Sequence, residues 1–200
     1  MAMITGAQKT IVGVFGPPRC GKNTAVDVFV REHGYTALSI SHEIKNYSHK
    51  LVGRTFDESE KDIVFECLNG HTPRNLYIEI GQLEKYDPYM WVSKVADVID
   101  ESSCKDFIIE SVGNQGQWNY LLDVFRNETL ILLGIERPGF GWDSRTPIDD
   151  YEQINIIHNV SDVHSYSHLM NSYIEMIKND AKPRNSDEVQ RWLNKQGYSR

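Results

Sequence analysis

Residues 15–25 read FGPPRCGKNTA. They follow TIVGV at 10–14, a run rich in β-branched apolar residues, and lead into AVDVFV at 25–30. A buried strand therefore turns into a helix through two glycines, two prolines and two cations. The spacing fits G-x-x-x-x-G-K, with Gly16, Pro17, Pro18, Arg19, Cys20, Gly21 and Lys22 in order. The glycines let consecutive N–H groups point into one hollow, and the following helix adds unpaired amides and the positive end of its dipole. Lys22 supplies a mobile point charge for phosphates held there. Asn23 occupies the position where the usual pattern writes serine or threonine, and the hydroxyl comes one place later, at Thr24.

Working outward, strand-length apolar runs recur at 37–40, 107–109, 129–135 and 154–157. They are continuous rather than alternating, as expected of parallel strands covered on both faces. Helical periods lie between them. Trp118, Leu121, Leu122 and Phe125 form one stripe; Val92, Val95, Ala96 and Ile99 form another; Tyr166, Leu169, Met170, Tyr173, Ile174 and Ile177 form a third. Thr72-Pro73 reads as an N-cap with proline at the first helical position. DESE at 57–60 reads as a capping-box start for a helix reaching Leu68. Strands alternating with helices imply an α/β sandwich with right-handed crossovers. The 41–104 stretch holds helices and no convincing strand, so it is expected to leave the sheet as a helical excursion. ERPGFGWDSRTPIDD at 136–150 reads as a loop between the fourth and fifth strands, and the polar tail after Lys182 carries one short helix around 189–192.

The chain of 200 residues is long enough for one domain with a substantial core. A formal charge of −7 argues against a general nucleic-acid coat, which needs a positive field. The longest clean apolar run, LILLGI at 130–135, is too short to cross a bilayer, and MAMITGAQKTIVGVFG lacks the phases of a signal peptide. Cys20, Cys67 and Cys104 sit at unrelated spacings, which fits a reducing, cytoplasmic setting. His158, His164 and His168 do not form a metal-binding spacing, and helix periodicity accounts for them.

The chain resembles phage deoxynucleoside monophosphate kinases, and more distantly adenylate, thymidylate and dephospho-coenzyme A kinases. GPPRCGKNT has the shape of the loop those kinases write GxPGxGKGT, which makes Thr24 the candidate hydroxyl. TPRNLYIEIGQLEKYDPYMWVSKV (72–95), FIIESVGNQGQW (107–118), LLGIERPG (132–139) and INIIHNVSDVHSYSHLMNSYI (154–174) carry the rest of the likeness, in the family's order.

The resemblance implies a P-loop NTPase fold: a five-stranded parallel sheet flanked by helices, with a helical acceptor-binding excursion and a short lid. A single domain would place its core at about 8–40 and 105–180, its acceptor region at 41–104 and its lid at 137–150. It also implies ATP with Mg²⁺ as cofactor, a nucleotide acceptor, and a monomer or homodimer in the cytoplasm, that of the host if the gene is a phage's. The loop from Gly16 to Thr24 and Asn159, which matches a turn near the family's adenine, would hold ATP. Thr24 and Glu110 would face the metal. Arg137 matches the family's arginine in the R-P-G turn, and Arg145 follows it in the lid; both would join Lys22 and Glu110 in catalysis. Arg74 matches an acceptor-side arginine. Tyr89 and Trp91, within YDPYMW, are expected to wall a nucleobase.

Three departures stand out. The relatives write an aspartate and then an arginine after the third strand, where this chain has Glu110-Ser111-Val112-Gly113-Asn114-Gln115. Amides at Asn114, Gln115 and Gln117 replace the arginine; they can read a base edge but cannot neutralise a phosphate. The family's lid motif is absent from 140–150, and its Gly-Thr after the Arg74 helix is Gly81-Gln82. The expected activity is transfer of the γ-phosphoryl group of ATP to a (deoxy)nucleoside monophosphate. The loss of the arginine keeps two others in view: phosphorylation of 5-hydroxymethyluracil within DNA, and nucleotide binding without catalysis.

Overall fold

The computed structural model describes residues 8–139, 154–159, 163–179 and 191. Five strands form one parallel sheet: β1 (Thr10–Phe15), β2 (Thr36–Ser39), β3 (Asp106–Glu110), β4 (Thr129–Glu136) and β5 (Ile154–His158), in the order β2-β3-β1-β4-β5. β1 is central; its Gly13 stands opposite Ile109 of β3 and Leu132 of β4. The helices are α1 (Lys22–His33), α2 (Ile40–Val52), α3 (Pro73–Gly81), α4 (Met90–Glu101), α5 (Gln115–Val124) and α6 (Val163–Lys178). All five expected strands are present within a residue or two of their expected ends. Ile40 is the exception of type, since it opens α2.

The two-residue alternation of the strands divides the core between the faces of the sheet. Val12, Val14, Ile108 and Leu133 pack under α1 and α6, with Phe29, Tyr166, Met170 and Tyr173. Ile11, Phe15, Phe107 and Ile109 pack against α4 and α5, with Trp91, Val95, Ile99, Trp118 and Leu121. Gly13 shares this second face. A Cβ there would come within 2.9 Å of the Trp118 ring and of Val112, so its lack of a side chain is what lets α5 lie close to the sheet.

These faces decide where a ligand can enter. The chain leaves β1 for α1 on one face and leaves β3, the neighbouring strand, for α5 on the other. Loops parting at adjacent strand ends open a crevice at the carboxyl edge of the sheet. Residues 16–21 lie at that edge.

The 40–104 region is helical, as expected, but one part of it differs. The Asp57/Glu60 capping box is present, yet the helix expected to reach Leu68 is two 3₁₀ turns, Glu58–Glu60 and Glu66–Leu68. Ile63 and Val64 between them are more than half exposed, so no buried stripe pays for a continuous helix. Asn69 and Gly70, both at positive φ, then turn the chain so that Phe65 bridges to His71. α3 begins where Thr72-Pro73 indicated, with the Thr72 hydroxyl accepting from the Asn75 N–H. The lid from 140 onward and the tail helix around 189–192, Arg191 apart, lie outside the described residues. Among the described residues no helix is long and apolar enough to cross a membrane.

Candidate active site

The loop after β1 is built to present amides. Gly16 (φ 150°) and Gly21 (φ 111°) take conformations that residues with a Cβ rarely adopt, and Arg19 sits at φ 63° between them. Space forbids side chains as well. A Cβ on Gly16 would collide with the Ile135 carbonyl and come within 2.9 Å of the Cys20 sulfur; one on Gly21 would come within 2.5 Å of Asn159 Nδ2. Gly21 is the N-cap of α1, and no side chain caps the helix. Its first-turn amides therefore face outward, with the dipole behind them.

Lys22 arches back over the loop. Its Nζ donates to the Gly16 carbonyl at 2.7 Å and to the Pro17 carbonyl at 2.8 Å, and it lies 4.0 Å from Cys20 Sγ. The ammonium is thus partly buried rather than fully solvated. Cys20 lies beneath, wholly buried. Burial pushes its thiol above the usual range, against the opposing charges of Lys22 and Arg137. It is a packing residue of the loop rather than a nucleophile.

The other strands bring their own ends to the same edge. Arg137 follows β4, and its charge reaches Cys20. Asn159 follows β5 and is 7% exposed. Its Nδ2 donates to the Cys20 carbonyl at 2.8 Å, and its Oδ1 is buried without a hydrogen-bond partner among the described residues. Glu110 ends β3. Two residues later the Val112 N–H donates to the Val14 carbonyl at 2.9 Å, which holds the Glu110 strand end alongside the start of the loop. Two glycines with no room for a side chain, the Lys22 ammonium and a helix N-terminus without a side-chain cap thus meet in one loop at the carboxyl edge of the sheet.

No family model matches the chain, and no curated protein matches it in sequence. Among solved structures it is similar to a protein of Chloroflexus aurantiacus described as a candidate kinase. The identity is 13% and the TM-score 0.50, over 85% of this chain and 98% of that one. The chain has the P-loop NTPase fold, a five-stranded parallel sheet flanked by helices. Lower-scoring likenesses are to a gluconokinase from Sinorhizobium meliloti and to the APS kinase of Mycobacterium tuberculosis. The first is 9% identical with a TM-score of 0.47, covering 86% of this chain and 95% of that one. The second is 13% identical with a TM-score of 0.41, covering 84% and 98%.

The acceptor-side residues are placed differently from the nucleotide cradle. Arg74, in the first turn of α3, lies outside the strand-end cluster and grips Asp62 side-on, with Nη2 to Oδ2 at 2.9 Å and Nε on Oδ1. Trp91, expected at an open wall, is instead fully buried, edge-on to Tyr47 at 5.5 Å. Tyr89 is 47% exposed and stacks on Tyr120 at 5.0 Å. The amides after β3 already hold hydrogen bonds. Asn114 caps α5 by accepting from the Gln117 N–H at 2.9 Å, and Gln115 donates to Asn119 at 2.7 Å. Gln117, 4% exposed, accepts from the Gly113 N–H at 2.7 Å and donates to Glu84 at 2.6 Å.

Glu84 was not singled out from the sequence. Burial pushes its carboxyl above the ordinary range, against the hydrogen bonds from Gln117 and Asn114. Also unanticipated is a cavity of about 380 Å³ lined by Leu38, Ser39, Ser41, His42, Lys45, Val95 and Glu110, among others. A sequence signal existed for it. In parallel sheets the residues just past a strand's carboxyl end face the ligand crevice, and SISHEIK (39–45) directly follows β2.

Proposed function

We propose that this protein is an ATP-dependent phosphotransferase that moves the γ-phosphoryl group to a nucleotide acceptor. The observation that carries the reading is the cradle: an uncapped helix N-terminus, two glycines with no room for a side chain, and the Lys22 ammonium bonded to its own loop carbonyls. An arriving polyphosphate offers that ammonium stronger, charged acceptors than the two carbonyls it would leave.

Phosphoryl transfer asks a protein for positioning and charge rather than covalent chemistry. The loop from Gly16 to Thr24 would hold the phosphates of ATP through the backbone N–H groups of its residues other than Pro17 and Pro18. Lys22 and Arg137 would draw charge from the oxygens around the transferring phosphorus. Thr24 and Glu110 are the residues suited to Mg²⁺, which supplies charge neutralisation across the phosphates when bound. Asn159 would keep the loop in shape beside the adenine end. Arg145 would add a second guanidinium from the lid. The test is transfer of a radiolabelled γ-phosphate across deoxynucleoside monophosphates, nucleosides and DNA containing 5-hydroxymethyluracil. Tight ATP binding with no transfer to any of them would leave only a nucleotide-binding module.

One observation favours the hydroxymethylated base over a monophosphate as the group that reacts. Beyond β3, where the related kinases carry an arginine, the chain places a half-buried carboxylate, Glu84, behind the Gln117 and Asn114 amides. A carboxylate there repels a second phosphate but tolerates a neutral pyrimidine. A new phosphate on the hydroxymethyl oxygen would select this group; a new phosphate on the acceptor's own phosphate would reject it.

A further inference from the structure

Beside the 380 Å³ cavity lies a second, of about 260 Å³, lined by Lys45, Lys61, Arg74, Glu58 and Tyr77 together with apolar side chains of α2 and α3. Ser41 and Lys45 belong to the walls of both, so the two are adjoining parts of one trough. The first part reaches the sheet at Glu110. The second is walled by the helical region alone.

Charge is divided unevenly along this trough. The second part gathers three cations, and two carboxylates already hold them. Glu58 is shared between Lys45, at 3.2 Å, and Lys61. Asp62 takes both side-on donors of Arg74. The pairs are solvent-exposed, with Arg74 and Asp62 at 54% and 61%. Such exposed pairs contribute little to stability. A phosphate offers the same fork of oxygens with more charge, and so can displace them at little cost. The hydrogen bonds from Arg74 and Lys61 hold the Asp62 and Glu58 carboxyls below their ordinary range, so these carboxylates are standing competitors for the cations.

We infer that the Lys45–Lys61–Arg74 cavity binds a phosphate of the acceptor as a handle, and that the group phosphorylated is a hydroxyl of the same molecule lying in the adjoining cavity beside Glu110. This rests on the phosphotransferase reading and names its acceptor class: a phosphorylated alcohol, as a free monoester or a diester within a strand. The reacting end is the part that meets the carboxyl edge of the sheet at Glu110, and Lys61 and Arg74 line only the part away from the sheet. In the step itself, the hydroxyl oxygen bonds to the γ-phosphorus as the bond from that phosphorus to the β–γ bridging oxygen breaks. The electron pair stays with the departing ADP, and the hydroxyl proton is released to solvent.

The experiment compares three acceptors on the full chain: 5-hydroxymethyl-2′-deoxyuridine, its 5′-monophosphate, and a short single-stranded DNA carrying one such residue. The phosphorylated acceptors are expected to show KM values about tenfold or more below that of the nucleoside, the scale of one lost charge-assisted contact. Arg74→Gln and Lys61→Gln should raise those KM values toward the nucleoside's while leaving the nucleoside's own KM in place. Asp62→Asn, which removes the competing carboxylate, should lower them several-fold. The product should carry its new phosphate as a monoester on the hydroxymethyl oxygen. Preference for the strand identifies a diester handle, and preference for the monophosphate a monoester; either supports the inference. Equal KM values for nucleoside and nucleotide overturn it. So does a diphosphate product, which would leave the phosphotransferase reading standing. If nothing is phosphorylated, that reading fails, and the handle is tested by equilibrium binding of nucleotide against nucleoside to the ADP-loaded chain. A difference erased by Arg74→Gln supports the handle, and no difference overturns it.

Discussion

Asn159, just past β5, donates from Nδ2 to the carbonyl of Cys20 at 2.8 Å, so the last strand of the sheet fastens the phosphate loop that follows the first. Its backbone N–H also donates to the Glu136 carbonyl at 2.6 Å, next to Arg137. One buried residue thus ties together the ends of β4, β5 and the loop. Removing the amide in Asn159→Ala leaves the Cys20 carbonyl without this donor, a loss of about 1–3 kcal/mol. The expected outcome is a lower melting temperature and roughly five- to tenfold weaker ADP binding by titration calorimetry, since the loop must then be ordered by the ligand. Unchanged values for both would show that the clamp contributes nothing.

Lys22→Met should separate folding from chemistry. The Nζ bonds to Gly16 and Pro17 lie at the loop's rim, so the melting curve should move by no more than about 1 kcal/mol of stability. Phosphoryl transfer should fall by about a hundredfold or more, because the cation that draws charge from the transferring group is gone. Turnover equal to that of the unaltered chain would remove Lys22 from the mechanism.

Gly16→Ala and Gly34→Ala form a matched pair. At Gly34 (φ 74°) nothing lies within 4 Å of an added Cβ, so the change costs only the left-handed backbone penalty, about 1 kcal/mol. At Gly16 the methyl meets the backbone of Ile135 as well, and neither wall can give, so about 3 kcal/mol or more is expected. Denaturant titration of the two variants reads the difference, and equal losses would mean that the loop adapts.

Glu84 should make stability depend on pH. Its folded pKa is raised, chiefly by burial, so the folded state binds a proton more tightly than the unfolded chain does. The contribution is complete below the ordinary carboxyl range, about 4.3, and is lost as the pH rises through the folded pKa. Glu84→Gln keeps an oxygen for the Gln117 donor without the charge. It should flatten that part of the stability curve and raise stability at neutral pH. A curve of the same shape in the variant would show that Glu84 does not titrate differently on folding.

Trp91→Ala and Tyr89→Ala distinguish core from surface within YDPYMW. Trp91 is fully buried, and its truncation should cost about 3–5 kcal/mol. Tyr89, half exposed and stacked only on Tyr120, should cost about 1 kcal/mol or less. Comparable losses would place Tyr89 in the core as well.

The sheet was legible in advance because its strands are buried on both faces, and burial on both faces writes itself as continuous apolar runs such as FII and TLILLGI. The loop was legible because its pattern is local: two glycines at positive φ and a lysine at fixed spacing turn the chain so that the lysine reaches back to its own carbonyls. The 57–68 segment misled for the opposite reason. Its capping box is real, but a cap starts a helix and only a buried stripe prolongs one, and Ile63 and Val64 stay more than half exposed among the described residues. Trp91 misled because α4 begins at Met90: Tyr89 stands at its N-cap, outside the helix, while Trp91 joins the buried face with Val95 and Ile99.

Thus the amino-acid sequence by itself determined the parallel α/β architecture and the glycine-lysine loop after β1, since both depend on periodicity and on residues within a few positions of one another. Only the tertiary structure decided that Asn159 clamps Cys20, that Gln117 is spent on Glu84, and that Lys45, Lys61 and Arg74 meet in one cavity under the guard of Glu58 and Asp62. Those pairings join residues from separate elements, and which of them meet is set by how the helical region folds back on itself and how the strands are ordered in the sheet. No spacing along the chain encodes that.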